Sequence, residues 1–247
     1  MNASMAPKLS EGQRAAVNAL AEQLKHTLGN RLHALVAYGR TDPEEFLHTL
    51  ALADRVTFED LTAIAPSIDR WRRSGLAVPL LLSREEFARS LDVFPAEYGE
   101  IVARHIVILG EAPFGDARIA ETDLRRSCEL QAKSHLIHLR EGFLEAGGDL
   151  NEVVYLISSS SHAFRSLLGN IARLDGEAMT PAYQHADGDD ALADFAERVI
   201  GVPASLVLDV FNFRPSSGAI AEPTALLGRY IDATERIWSY VDGWKRR

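Results

Sequence analysis

The chain has 247 residues, enough for one large domain or two modest ones, each with its own core. Its balance of 47% hydrophobic and 25% charged residues is that of an ordinary globular protein, and a formal net charge of -9 argues against a long nucleic-acid groove, which needs a basic surplus. A single cysteine, Cys128, rules out an intrachain disulfide; no N-terminal apolar segment reads as a secretory signal and no run is long and apolar enough for a membrane helix, so the expectation is a cytoplasmic protein with no membrane partner.

Ser10 reads as the N-cap of a first helix, in which Leu20, Leu24 and Leu28 recur at helical spacing until Gly29-Asn30 stops it. LHALVAY (32–38) reads as a buried strand closed by Gly39. After the polar loop RTDPEE, the apolar run FLHTLALA (46–53) is open between strand and helix, and its place between two turn signals favours a strand. Residues 57–75 form an amphipathic helix with a Thr57/Asp60 capping box, which Pro66 should kink or split. AVPLLLS (77–83) is a short strand; Ser83 with Glu86 makes a second capping box for the helix over 83–91; HIVILG (105–110) is a β-branched strand bounded by Gly110 and Pro113.

Beyond about Glu121 the pattern is almost wholly helical, with helices expected over 123–147, 150–174, 186–201, 203–214 and 223–244. Long helices with short connections read as an antiparallel bundle. The Pro- and Gly-bearing stretch 112–121 marks the boundary, drawn as an α/β domain over 1–115 and a helical bundle over 116–247. The fold class is α+β, with a small mixed β-sheet and flanking helices followed by an all-α antiparallel bundle.

The order helix, strand ending in Tyr-Gly, strand, helix, strand, helix, strand, bundle now takes on a further meaning. With LHALVAYG (32–39), WRRSGLAVPLLLSREEFARSLDVFPAEYGEI (71–101), HIVILGEAPF (105–114) and CELQAKSHLIHLR (128–140), it resembles the bacterial nucleotidyltransferase-domain proteins of the DNA polymerase β superfamily, relatives of the aminoglycoside nucleotidyltransferases. The resemblance covers most of the chain. It implies transfer of a nucleoside monophosphate from a nucleoside triphosphate to a hydroxyl. That chemistry needs a Gly-Ser turn that lets backbone N–H groups approach the phosphates. It also needs an Asp-x-Asp pair on one face of the next strand to hold two divalent metals, and a third carboxylate from a later strand.

This sequence departs from that pattern. Gly39 is present, but Arg40 stands at the serine position, where it would meet an anion in a phosphate pocket. With RVTFEDL (55–61) laid on the family's segment after the metal strand, the aspartate positions fall on Phe46 and His48, and neither supplies the hard oxygen that magnesium requires. A shifted register would offer Asp42 and Glu44 as metal ligands instead, from the segment that contains Pro43. Glu97, with Glu100 next, is the candidate third carboxylate and catalytic base; a solvated carboxylate is the alternative. Glu129, Lys133 and Arg140 form a polar stripe on the first bundle helix, Glu129 and Lys133 as an i,i+4 ion pair; in the family this helix faces the cleft, so Lys133 and Arg140 are candidate phosphate contacts.

The remaining polar residues read as structural. His48 is expected as a hydrogen-bonded core residue, His135 and His138 as surface or packing residues, Cys128 and the Trp238/Tyr240/Trp244 cluster as core, and the serines of 158–161 as a polar patch within a helix. The functional expectation is a catalytically degenerate nucleotidyltransferase-like protein that binds a nucleotide or a protein partner. The alternative is an active enzyme that uses magnesium and a nucleoside triphosphate to modify a small-molecule hydroxyl. A third is an interaction module whose bundle forms a homodimer or binds a partner.

Overall fold

A computed structural model describes residues 9–39, 46–111, 113–115, 117–176, 187–214 and 222–245. Two compact units divide the chain, Met1–Ala120 and Glu121–Arg247. The first is built on a sheet of β1 (Leu32–Tyr38), β2 (His48–Ala53), β3 (Leu80–Ser83) and β4 (His105–Leu109), in the order β3-β2-β1-β4. β1 pairs antiparallel with β2 and with β4, whereas β2 and β3 run parallel. The run 46–53 is thus a strand from His48 onward, and the expected mixed sheet is present.

The sheet is buried on both faces, which is why residues 34–37 of β1 are apolar without alternation. On one face Leu35, Ala37, Ala51 and Ala53 pack on Leu20 and Leu24 of α1 (Glu11–Leu28) and on Ile64 and Trp71. On the other, Val36, Leu50 and Leu52 pack on Phe87, Tyr98, Ile101 and Phe114. Phe87 belongs to α4 (Arg84–Arg89), and Tyr98 and Ile101 to α5 (Pro95–Ala103).

Local chemistry fixes the ends of these elements. Ser10, Thr57 and Ser83 each complete a capping box, with Gln13, Asp60 and Glu86 respectively. Pro66 sits in a 3-10 turn, Ala65–Ser67, that divides α2 (Phe58–Ile64) from α3 (Ile68–Arg73), the split expected of a proline without an N–H. Asp60 also accepts two bonds from Arg31, at 2.7 and 2.6 Å, and so ties α2 to the chain entering β1. Gly110 ends β4 at φ 80°, and a Cβ there would lie 2.1 Å from the His33 carbonyl oxygen, so only glycine fits.

The second unit contains α6 (Glu121–Ala146), α7 (Leu150–Leu174), α8 (Asp187–Phe195), α9 (Ala204–Phe211) and α10 (Pro223–Asp242). α6 and α7 are antiparallel: Gly142 abuts Leu156 near the turn, and Asn170 donates to Gln131 at 3.1 Å farther along. α10 runs antiparallel to α6, with Arg125 donating to the Val241 carbonyl at 3.0 Å and Arg140 pairing with Glu235 at 3.1 Å. Cys128, Leu136, Ile157, Phe164, Leu168, Tyr230 and Ile237 fill the core.

His135 takes the packing role of the two left open for it: it is 9% exposed and bonded to the Tyr230 hydroxyl at 2.6 Å, with Phe164 stacked on its ring. His138, three residues on, is exposed beside Glu141, at the edge of the helix's buried face. Trp238, Tyr240 and Trp244 are half-buried rather than core; Tyr240 and Trp244 donate to Asp175 at 2.7 and 3.3 Å, a polar role that needs the edge of the bundle.

Candidate functional site

The end of β1 and the start of β2 set the geometry. Gly39 follows β1 in a left-handed conformation, φ 82°, that favours glycine. Across the turn, alternation sorts the side chains. Leu47 and Thr49 are buried, whereas Phe46 is 53% exposed and His48 is exposed. Phe46 and His48 therefore lie, with period two, on the face that carries Leu50 and Leu52, at its solvent-exposed end. The expectation of His48 as a core residue is overturned: it is the first residue of β2, at the rim of the sheet, where its side chain has solvent on one side.

Pairing across the sheet extends this face. Tyr38 stands opposite His48 on one side and opposite His105 on the other, so His48, Tyr38 and His105 form a row over three strands. The Tyr38 and His48 rings are 5.7 Å apart. Burial pushes the Tyr38 hydroxyl up to about 12, with Glu100 and Tyr98 adding to the effect, so the phenol stays protonated at neutral pH. His105 Nδ1 lies 3.0 Å from the Ile101 carbonyl, and Phe114 meets its ring edge-on at 4.7 Å. From Phe114 a continuous aromatic contact runs through Phe87 to Tyr98 and Phe94. This row arises from the register of three strands, which the sequence carries only as three separate apolar runs.

The carboxylates nearby come from α5. Glu97 is exposed in the first turn of that helix, after Pro95 at its first position, whereas the family pattern takes its third carboxylate from a strand. Glu100, one turn later, pairs with Arg104 at 3.1 Å. Asp42 and Glu44, the alternative metal ligands, and Arg40, the expected anion contact, lie outside the described residues. Among the described residues no group of three His, Cys, Asp or Glu side chains converges to hold a metal. The outward face of β2 offers a phenyl ring and an imidazole, and neither fits a magnesium ion, which takes hard oxygen ligands.

The expected polar stripe of α6 is placed within the helical unit. Glu129 pairs with Arg125 at 2.9 Å rather than with Lys133, an i,i+4 partner in the other direction along the helix. The Lys133 ammonium lies 3.6 Å from the centroid of Trp238, and Arg140 reaches Glu235, both on α10. Cys128 is buried, and Ser158, Ser159 and Ser160 return their hydroxyls to α7 carbonyls three residues back.

No family model matches the chain, and no curated protein matches it either. Among solved structures the chain is similar to spectinomycin adenyltransferase AAD(9) from Enterococcus faecialis, determined with ATP and spectinomycin. The TM-score is 0.53 over 90% of this chain and 98% of that one, at 10% sequence identity. At that identity the likeness establishes the fold: the chain has a nucleotidyltransferase-like architecture, and no described helix is long and apolar enough to cross a membrane.

Proposed function

We propose that this chain is a nucleotidyltransferase-fold protein that binds a nucleotide without transferring its nucleotidyl group. One observation carries the proposal: the two outward positions at the start of β2 hold Phe46 and His48 instead of metal-binding carboxylates. Two-metal catalysis aligns the attacking and leaving oxygens through such carboxylates, and aromatic side chains cannot substitute for them. What remains suits binding. The left-handed turn at Gly39 is the kind of backbone that presents N–H groups to an anion, and Arg40 follows it in the sequence. Phe46 and His48 supply flat faces for a purine or pyrimidine ring. Lys133 and Arg140 are not needed, because Trp238 and Glu235 already meet their charges.

The test is calorimetric titration with ATP in EDTA and again in magnesium, paired with a pyrophosphate assay in the presence of spectinomycin, the compound found in the similar structure. The expected result is saturable ATP binding that EDTA leaves unchanged, weakened by Phe46→Ala, with no pyrophosphate formed. Magnesium-activated pyrophosphate release that Asp42→Ala or Glu44→Ala abolishes would establish the active enzyme instead. Absence of ATP binding in either buffer would refute the nucleotide as ligand.

A further inference from the structure

Toward the other end of β2, about 13 Å along the strand from His48, the same sheet face carries an open cavity of about 490 Å³. This is within the size range of small-molecule sites. Leu52 and the Phe87–Phe114 pair, whose rings are 5.0 Å apart, make its floor, with Leu91 at the side. The floor is rigid: Leu52, Phe87 and Phe114 are all buried, and Phe114 is fixed by the backbone bond from the Ala117 N–H at 2.8 Å and by the edge-on contact with His105. The cavity therefore does not depend on a side chain swinging away.

Three charged residues stand at its rim: Asp54, Arg84 and Glu85. Two are already matched. Asp54 contacts His33, and Glu85 pairs with Arg89 at 3.1 Å. Arg84 has no hydrogen-bond or ion-pair partner among the described residues, and it is exposed at the start of α4. An apolar floor beside one unmatched guanidinium is complementary to an apolar body that carries one negative charge.

We infer that this cavity is a second ligand site, separate from the Gly39 turn, and that it takes a small amphipathic monoanion: an aromatic or short aliphatic carboxylate or sulfonate. The apolar part lies on Leu52, Phe87 and Phe114, and the anionic group meets Arg84. A dianion or a phosphate-rich ligand suits the site less well, since Asp54 and Glu85 flank the guanidinium.

The test uses two fluorescent probes on the full chain, anilinonaphthalene sulfonate and its uncharged parent phenylnaphthylamine. Both should bind saturably with one site. Ala88→Trp, a change at an exposed lining residue that fills the cavity, should remove both signals. Arg84→Gln should weaken the sulfonate by about tenfold and leave the uncharged probe within twofold. Naphthoate should displace the sulfonate from the unaltered protein. Circular dichroism shows whether each variant is folded, and the surface change Arg84→Gln keeps the test decisive if Ala88→Trp is not. Failure of either probe to bind saturably, or binding that Ala88→Trp leaves untouched in a folded protein, would overturn the site. Equal effects of Arg84→Gln on both probes would overturn the assignment of an anion.

Discussion

Lowering the pH should destabilise the helical unit through one residue, His135. Its ring is 9% exposed, stacked on Phe164 and bonded to the Tyr230 hydroxyl, and burial holds its pKa down at about 4 from an ordinary 6.5. A base whose folded pKa is depressed is neutral in the native state while the unfolded chain takes up a proton. The unfolded state thus binds more protons between the two values, and stability falls as pH drops from about 6.5 toward 4. A difference of about 2.5 units at ~1.36 kcal/mol each corresponds to about 3 kcal/mol. The assay is urea unfolding from pH 7.5 to pH 4 on a Trp71→Phe background, which leaves Trp238 and Trp244 as reporters of the helical unit alone. His135→Gln keeps a hydrogen-bonding group for Tyr230 but cannot titrate. At pH 7 this variant should be less stable by about 1–3 kcal/mol, from imperfect packing and hydrogen bonding. At pH 4 it should match or exceed the parent protein. Curves for parent and variant that stay parallel across that range would refute the argument.

Asp60→Asn should cost the sheet unit about 2–4 kcal/mol, because it leaves the Arg31 guanidinium with half its bonds and weakens the Thr57 cap; Trp71 fluorescence on heating reads the loss. Arg31 holds the Asp60 carboxyl well below the usual carboxylate range, so this contribution is present above about pH 4 and disappears on further acidification. Gly110→Ala should destabilise by more than about 2 kcal/mol or prevent folding, since the new Cβ meets the His33 carbonyl in a left-handed backbone; soluble yield and thermal midpoint measure it. The double change Phe46→Asp/His48→Asp should alter stability by less than about 1 kcal/mol, as both side chains point outward, and should add a magnesium-dependent rise in thermal midpoint that the parent lacks.

Much of the scaffold was legible because its signals are local. Thr57/Asp60 and Ser83/Glu86 are capping boxes in sequence and in space, and Pro66 divides a helix where a missing N–H must. The strand over 46–53 was ambiguous in sequence, since an apolar run bounded by turns suits either state; pairing of β2 with β1 and β3 decides it. The misread residues have non-local partners. Apolar residues surround His48 in the sequence and point to the core, yet its position at the mouth of the strand leaves it exposed. The helix that carries Glu97 is announced locally by Pro95, a helix-start signal. The contacts of His135 with Tyr230 and of Lys133 with Trp238 span about 100 positions, and nothing in the local pattern of α6 announces them.

The buried Leu47 and Thr49 beside the exposed Phe46 and His48 divide the start of β2 into two kinds of position. Packing of the sheet constrains the first pair and leaves the second free to vary. A lineage can exchange the outward residues while every buried contact of β2 stays in place, so neutral drift across that boundary is open in both directions. The same separation is compatible with a likeness of fold at 10% sequence identity, since the sheet asks only that its buried positions stay apolar and well packed.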